Sequence, residues 1–238
     1  MSRIVDYSSL AQSILDFAHR TDLINYQDYF IQMGEQRIYR DLVGSSMGDG
    51  VKWLEMTLLG QIGLGGNTVD SVGTADSTLT VDMTSTGAAG SFPVPVGYIS
   101  LKDMQVTDGN SDEFTLLYKD PQWIYSNYPI REATGIPRYV ARDGANFIFG
   151  PYPDSNYSIQ GTYYGTSTPL SSTNTSTWMT SICPDVLLAA CMIEVMTFLK
   201  DQNGNAFWTQ IYGQKLEGLI AFDKADRTAP GALTIEVA

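Results

Sequence analysis

The chain has 238 residues, with 14 Lys and Arg against 26 Asp and Glu for a formal net charge of −12, and only 17% of its residues are charged. That length buries roughly 70–75% of the unfolded surface, so a sizeable core forms without staples. The excess of carboxylates excludes tight wrapping of nucleic acid, which needs a basic patch to displace counterions from phosphate.

Two further exclusions follow from the pattern of the sequence. No stretch approaches 18 consecutive apolar residues, which argues against a spanning helix. The N-terminus, MSRIVDYSSL, lacks the basic region, apolar run and small-residue cleavage site of a signal peptide, so export by the common route is not expected. The acidity itself reads as that of a soluble acidic protein, or as a surface that nucleic acid passes without sticking.

Ser8 or Ser9 is placed to cap a first helix running to about His19, with Leu10, Ile14, Phe17 and Ala18 on one face. After the interruption at Thr21-Asp22, a second helix is predicted from about Ile24 to Leu42 with the apolar stripe Tyr26, Phe30, Met33, Ile38 and Leu42. Arg37 and Arg40 lie beside Glu35 and Asp41, the mixed charge of a solvated or subunit-facing side. The short connection predicts an antiparallel helix hairpin.

Glycines from Gly44 to Gly50 end the helical region, and Val51 to Leu59 reads as a strand. From Gly60 to Gly90 the composition shifts to Gly, Ser, Thr, Asp and Ala around a strand-like island at Ser77 to Met83, which predicts a β-hairpin or a long loop. Gly63-Leu-Gly65-Gly66 does not match a dinucleotide fingerprint. A second β-region starts at Pro93 to Tyr98, continues through Ile99 to Val106, and after Asp108-Gly109 resumes at Phe114 to Tyr118. Asp120 before Pro121 is an N-cap with proline at the first helical position, so a short helix to about Asn127 follows.

Strands are then predicted near Arg138 to Arg142, Asn146 to Phe149 and Ser158 to Tyr164, the first two closed by Asp143-Gly144 and the third reached through a corner at Pro151 and Pro153. Their alternation places Tyr139, Phe147, Phe149, Ile159 and Tyr163 on buried faces, as core rather than as a sugar-binding platform. Ser171 to Thr177 is a polar linker. Pro184 opens a helix apolar nearly all round, Asp185 to Leu199, which should be central in its bundle. Asn203-Gly204 is expected to break it before an amphipathic helix from about Asn205 to Ala225. In the tail, Arg227 to Ala238, Leu233, Ile235 and Val237 alternate like a strand with no local partner.

No catalytic constellation stands out. The single histidine, His19, sits at a helix end, where the terminal dipole favours it. Cys183 and Cys191 fall on one helix or its approach, too far apart along the rise for a disulfide, and read as buried thiols. With so few soft ligands a zinc site would need clustered carboxylates, and none cluster; no cofactor or metal is expected. No G-x-S-x-G elbow is present, and the pairs Asp16 with Asp22 and Asp112 with Glu113 read as solvated charge rather than acid and base. Asn156-Tyr-Ser158 and Asn174-Thr-Ser176 match the glycosylation pattern but mean little without export.

The order of several segments resembles the head-to-tail adaptor, or connector, proteins of tailed bacteriophages, especially the short-tailed type. Early matches are Leu10, Ile14 to Asp16, Arg20-Thr-Asp-Leu23, Phe30-Ile31 and Gly34-Glu35-x-Arg37-Ile38-x-Arg40-Asp41-Leu42. The middle is similar through Gly135 to Tyr139, Gly150-Pro151-x-Pro153-Asp154 and Tyr163-Tyr164, and the late part through Pro169-Leu170-Ser171, Asn174 to Trp178 and Pro184-Asp185. The chain departs from the pattern where Val43-Gly44-Ser45 replaces basic residues, and in the length of Gly60 to Gly90.

The elements in order predict an α+β fold. Residues 1–50 and 180–226 would form a helical bundle, residues 51–179 a β-rich middle region with an insertion at about 60–90, and residues 227–238 an extended C-terminal arm. The resemblance implies a structural virion protein without enzymatic activity. It would form a homo-oligomeric ring, dodecameric to match the portal protein, that joins the portal to tail or nozzle proteins and lines a DNA channel without specific binding. It would assemble in the host cytoplasm and reside at the head-to-tail interface of the virion, with no membrane partner. Arg37, Arg40 and the tail residues Leu233, Ile235 and Val237 would belong to partner interfaces. The alternative is a soluble module that binds carbohydrate or another ligand through an aromatic β-surface.

Overall fold

The computed structural model describes residues 3–45, 51–62, 68–74, 83–84, 91–130 and 133–228. Leu233, Ile235 and Val237, the glycine-containing stretch at 46–50 and most of the Ser77 to Met83 island lie outside them. In chain order the elements are α1 (Tyr7–Ala18), α2 (Gln27–Ser45), β1 (Glu55–Ile62), β2 (Thr68–Thr74), β3 (Met83–Thr84), β4 (Ser91–Pro93), β5 (Tyr98–Thr107), β6 (Glu113–Thr115) and β7 (Leu117–Tyr118). There follow α3 (Pro121–Asn127), β8 (Thr134–Gly135), β9 (Tyr139–Asp143), β10 (Asn146–Gly150), β11 (Tyr152–Pro153), β12 (Tyr157–Gly165), α4 (Trp178–Ile182), α5 (Pro184–Leu199) and α6 (Gln202–Thr228). The fold is α+β, with helices before and after a β-rich middle. The described residues divide into two compact units: a helical unit drawn from residues 1–52 and 167–238, and a β unit, Trp53–Thr166.

In the helical unit, α1 is capped not by Ser8 or Ser9 but by Asp6. Its carboxylate accepts the Ser9 N–H at 2.8 Å while Ser9 Oγ accepts the Asp6 N–H at 3.0 Å. Ser9 thus occupies the third helical position of a capping box whose cap is Asp6. The helix ends at His19, whose left-handed backbone (φ 52°) directs its N–H to the Asp16 carbonyl.

The expected start of the second helix at Ile24 is instead a 3₁₀ turn, Thr21–Tyr26, and α2 begins at Gln27 and runs past Leu42 to Ser45. With three residues per turn, this segment rotates Ile24 and Tyr26 off the buried face, leaving them 59% and 46% exposed. The buried stripe of α2 is therefore Phe30, Ile31, Gly34, Glu35, Ile38 and Leu42, and Met33 is only partly covered.

Helix α5 is buried on all sides from Val186 to Met196 and packs against α1, α2, α4 and α6, the central position that its continuous apolar sequence predicts. Gly34 makes the α2 approach possible: a Cβ there would lie 2.8 Å from Cys191 Sγ and 3.0 Å from the Cys191 backbone nitrogen. The break between α5 and α6 is not at Asn203-Gly204. Lys200 takes the left-handed cap (φ 58°), and Asp201 Oδ1 accepts the N–H groups of Asn203 and Gly204, each at 3.1 Å, so both residues lie in the first turn of α6. The short helix α4, not evident in the sequence, begins at Trp178 directly after the polar linker.

Two sheets of the β unit face one another, and β8 and β11 form a separate parallel pair. The larger has the order β3-β2-β1-β12-β5-β6, all antiparallel, and the smaller β4-β10-β9-β7, with β7 parallel to β9. The first strand begins at Glu55, later than predicted, because Lys52–Leu54 forms a 3₁₀ turn; regular alternation then buries Met56, Leu58, Gly60 and Ile62. These residues with Met104, Val106, Ile159 and Tyr163 meet Phe92, Val140, Phe147 and Phe149 of the smaller sheet in one apolar core. Gly144 (φ 60°) supplies the left-handed residue of the β9–β10 turn.

Two expectations change in this unit. Tyr139 is half-buried on the opposite face, where it packs at 4.7 Å from the Trp123 ring of α3 while its neighbour Val140 enters the core. The run Phe114 to Tyr118 is not one strand. Leu116 donates its N–H to the Met104 carbonyl, and Leu117 then donates to Arg138, so the chain passes from one sheet to the other.

Candidate interaction surfaces

The segment after β12, Ser167 to Thr177, folds as a strap on α2. Tyr39 and Glu35 hold it one helical turn apart, since the Tyr39 hydroxyl lies 2.7 Å from Ser167 Oγ and accepts the Ser167 N–H at 3.1 Å. Both Glu35 oxygens sit 3.2 Å from the Leu170 N–H. Asn174 braces the strap internally by donating to the Thr168 and Pro169 carbonyls at 2.8 and 3.0 Å. Glu35 is 4% exposed, and burial pushes its pKa up to about 7 although the Leu170 N–H opposes the shift. Sequence reasoning placed Glu35 in a charged patch, yet it shares the helical spacing of Ile31, Ile38 and Leu42, and that periodicity was the signal for its burial.

Arg37 is half-buried and donates from Nε and Nη2 to one oxygen of Glu194 on α5, at 3.1 and 2.6 Å. Arg40, one turn further on, is exposed and forms no ion pair among the described residues. The Tyr212 hydroxyl donates to Asp41 at 2.8 Å, tying α6 to α2, and the Lys52 N–H donates to the buried Asp223 at 3.0 Å. The structure thus brings Arg37, Arg40 and Asp41 onto α2, with Arg37 turned toward α5 and Arg40 toward solvent.

At one end of the helical unit the apolar surface is open. Tyr29 and Phe198 are 50% and 45% exposed, and with Tyr26 they rest on the fully buried Phe30, Tyr26 and Phe198 lying 5.0 Å apart and Phe30 and Phe198 5.5 Å apart. Phe17, Trp208 and the exposed Phe207 form a second aromatic row with ring separations of 5.7 Å. The Cys191 helix is enclosed: Cys191 is 0% exposed, and α5 contributes Phe198 at its end. Burial pushes the Cys183 thiol up to about 12 and raises Cys191 further, so neither is a thiolate near neutral pH.

Among the described residues no group of His, Cys, Asp and Glu is placed to hold a metal ion, and no helix is long and apolar enough to cross a membrane. Asp16 accepts from Gln12 at 2.9 Å and Asp22 pairs with Arg20 at 2.7 Å, each on the exposed surface. What the helical unit offers is contact area: exposed aromatic rings at one end of the bundle and, about three turns further along α2, an arginine with no ion pair among the described residues.

A search of curated proteins returned no match. The family model for the SU10 adaptor protein matches residues 5–234, which takes in both units, the strap and all six helices. The chain therefore belongs to the SU10 adaptor protein family and is a structural adaptor of the bacteriophage head-to-tail type.

Proposed function

We propose that copies of this chain form a ring, dodecameric to match the portal of a short-tailed phage, which joins the portal protein to tail or nozzle proteins and encircles the DNA exit path. The observation that carries the reading is the open aromatic surface of Tyr26, Tyr29 and Phe198, three half-exposed rings gathered on the buried Phe30. A closed ring needs two different faces on each copy, each joined to its neighbour by one rotation. In this reading the aromatic end supplies one face, and Arg40, held on the helix that Arg37 and Glu194 fasten to α5, meets a carboxylate of the adjacent copy.

The protein performs no chemistry in this role, and its net charge of −12 keeps phosphates from adhering as DNA passes. It is a virion component assembled in the host cytoplasm. Leu233, Ile235 and Val237 of the C-terminal segment dock on the portal by adding a strand. Light scattering tests both parts. The full chain mixed with its cognate portal should give a complex of ring mass, and a chain lacking Thr228 to Ala238 should fold yet fail to dock. Absence of a complex at micromolar concentration contradicts the ring, and unchanged docking by the truncated chain removes the segment from the interface.

A further inference from the structure

The smaller sheet of the β unit has one edge at β7, and its surroundings depart from the acidity of the rest. Leu117 and Tyr118 are 57% and 56% exposed. Leu117 donates its N–H to the carbonyl of Arg138, just before β9, and Lys119 to that of Val140 within it, so the intervening Tyr118 N–H points outward along the edge.

Three cations straddle this edge. The Lys119 ammonium lies 5.3 Å from the Trp123 ring on the α3 side of the sheet. On the other side the Arg138 guanidinium lies 6.0 Å from the Phe114 ring, and that of Arg142 lies 5.0 Å from the Tyr98 ring. Stacking on rings holds the cations in place. None forms an ion pair among the described residues; Arg142 also donates to the Gly144 carbonyl at 3.2 Å. The nearest carboxylates in sequence are occupied elsewhere: Asp143 accepts from the Tyr125 hydroxyl at 2.5 Å, and Asp120 caps α3.

We infer that the β7 edge is a docking site for an extended acidic segment of a partner protein, which adds as a strand beside Leu117–Tyr118 and places carboxylates against Lys119 on one face and Arg138 and Arg142 on the other. A strand fits because its side chains alternate between the two faces of a sheet, as these cations do. Nucleic acid fits less well, since three cations release few counterions and the chain carries 26 acidic residues. The inference stands on the β unit alone and does not depend on the ring.

A fluorescein-labelled peptide of sequence TEEVEEVT, titrated onto the full chain at low salt, tests it by anisotropy, with amide exchange followed at Tyr118. Binding should weaken about tenfold or more in the double variant Arg138→Glu, Arg142→Glu, and the Tyr118 amide should gain protection from exchange on binding. If that variant fails to fold, Arg138→Gln with Arg142→Gln removes the charge more gently and should weaken binding in the same direction. No binding, binding indifferent to these arginines, or no protection at Tyr118 would overturn the inference. So would displacement of the peptide by an oligothymidylate of equal charge, which would assign the edge to nucleic acid.

Discussion

In the helical unit a carboxylate, Glu35, lies at 4% exposure, and Ser13, Thr177, Thr180 and Asp223 are buried with it. In the β unit the described residues of comparable burial are all apolar or tyrosine, and no described carboxylate is among them. The apolar surface is distributed in the opposite sense. The helical unit leaves Tyr26, Tyr29 and Phe198 open at one end, whereas the β unit folds most of its rings inward, with Phe147, Phe149 and Tyr163 at 0–1% exposure. The difference teaches that the two units are held by different forces. Packing sets the β unit, while the helical unit adds polar ties, Glu35 to Leu170, Arg37 to Glu194 and Tyr212 to Asp41, that set how its helices and strap align.

The largest effect expected is on the packed side. Phe149→Ala removes a fully buried ring from between the sheets and should cost about 3–5 kcal/mol, with little dependence on pH. A cost below about 1 kcal/mol in chemical denaturation would mean that the sandwich is not close-packed there.

On the polar side, the sign follows from Glu35. Its folded pKa, about 7, stands above the ordinary 4.5, so between these values the folded chain holds a proton that the unfolded chain has released. Its share of stability is complete below about pH 4.5 and is lost as pH rises to about 7. Glu35→Gln keeps an acceptor for the Leu170 N–H and should leave stability unchanged at pH 4 while raising it by up to about 3 kcal/mol at pH 8. Equal stability of the two proteins at pH 8 would place a compensating charge beside Glu35 and blur the contrast between the units.

Gly34→Val tests the close approach of α2 to α5. Because a Cβ meets the Cys191 backbone as well as its sulfur, the neighbour cannot simply turn aside, and a loss of about 1–3 kcal/mol is expected in thermal or denaturant unfolding. The smallest change should come from Lys102→Ala, which breaks a largely exposed pair with Glu55 at 2.8 Å and should cost less than about 1 kcal/mol.

Much of the fold was legible from periodicity. The Asp120-Pro121 start of α3, the apolar run of α5 and the alternation of β10 and β12 each carry a local signal strong enough to fix the element. Errors arose where a tight turn shifted the phase. The 3₁₀ segments at Thr21–Tyr26 and Lys52–Leu54 moved the start of α2 and of β1, and the left-handed cap at Lys200 replaced a glycine break that looked sufficient. The passage of the chain between sheets at Leu116 depends on pairing with distant strands and left no mark in its own sequence.

The interaction surfaces were less legible than the fold. Tyr26 and Phe198 belong to segments far apart in sequence, so their 5.0 Å contact and shared exposure exist only once the 3₁₀ turn that leads into α2 has packed on the end of α5. Removing both half-covered rings should cost the isolated chain about 1–2 kcal/mol, leaving it folded, and should be decisive for assembly. Tyr26→Ser with Phe198→Ser is accordingly a control in the experiment that follows.

Negative-stain imaging of the full chain mixed with its cognate portal tests the central claim most directly. Closed rings seated on the portal are expected, lost in the Tyr26→Ser, Phe198→Ser variant although that protein still folds. Bare portals beside dispersed single copies of the unaltered chain at micromolar concentration would contradict it.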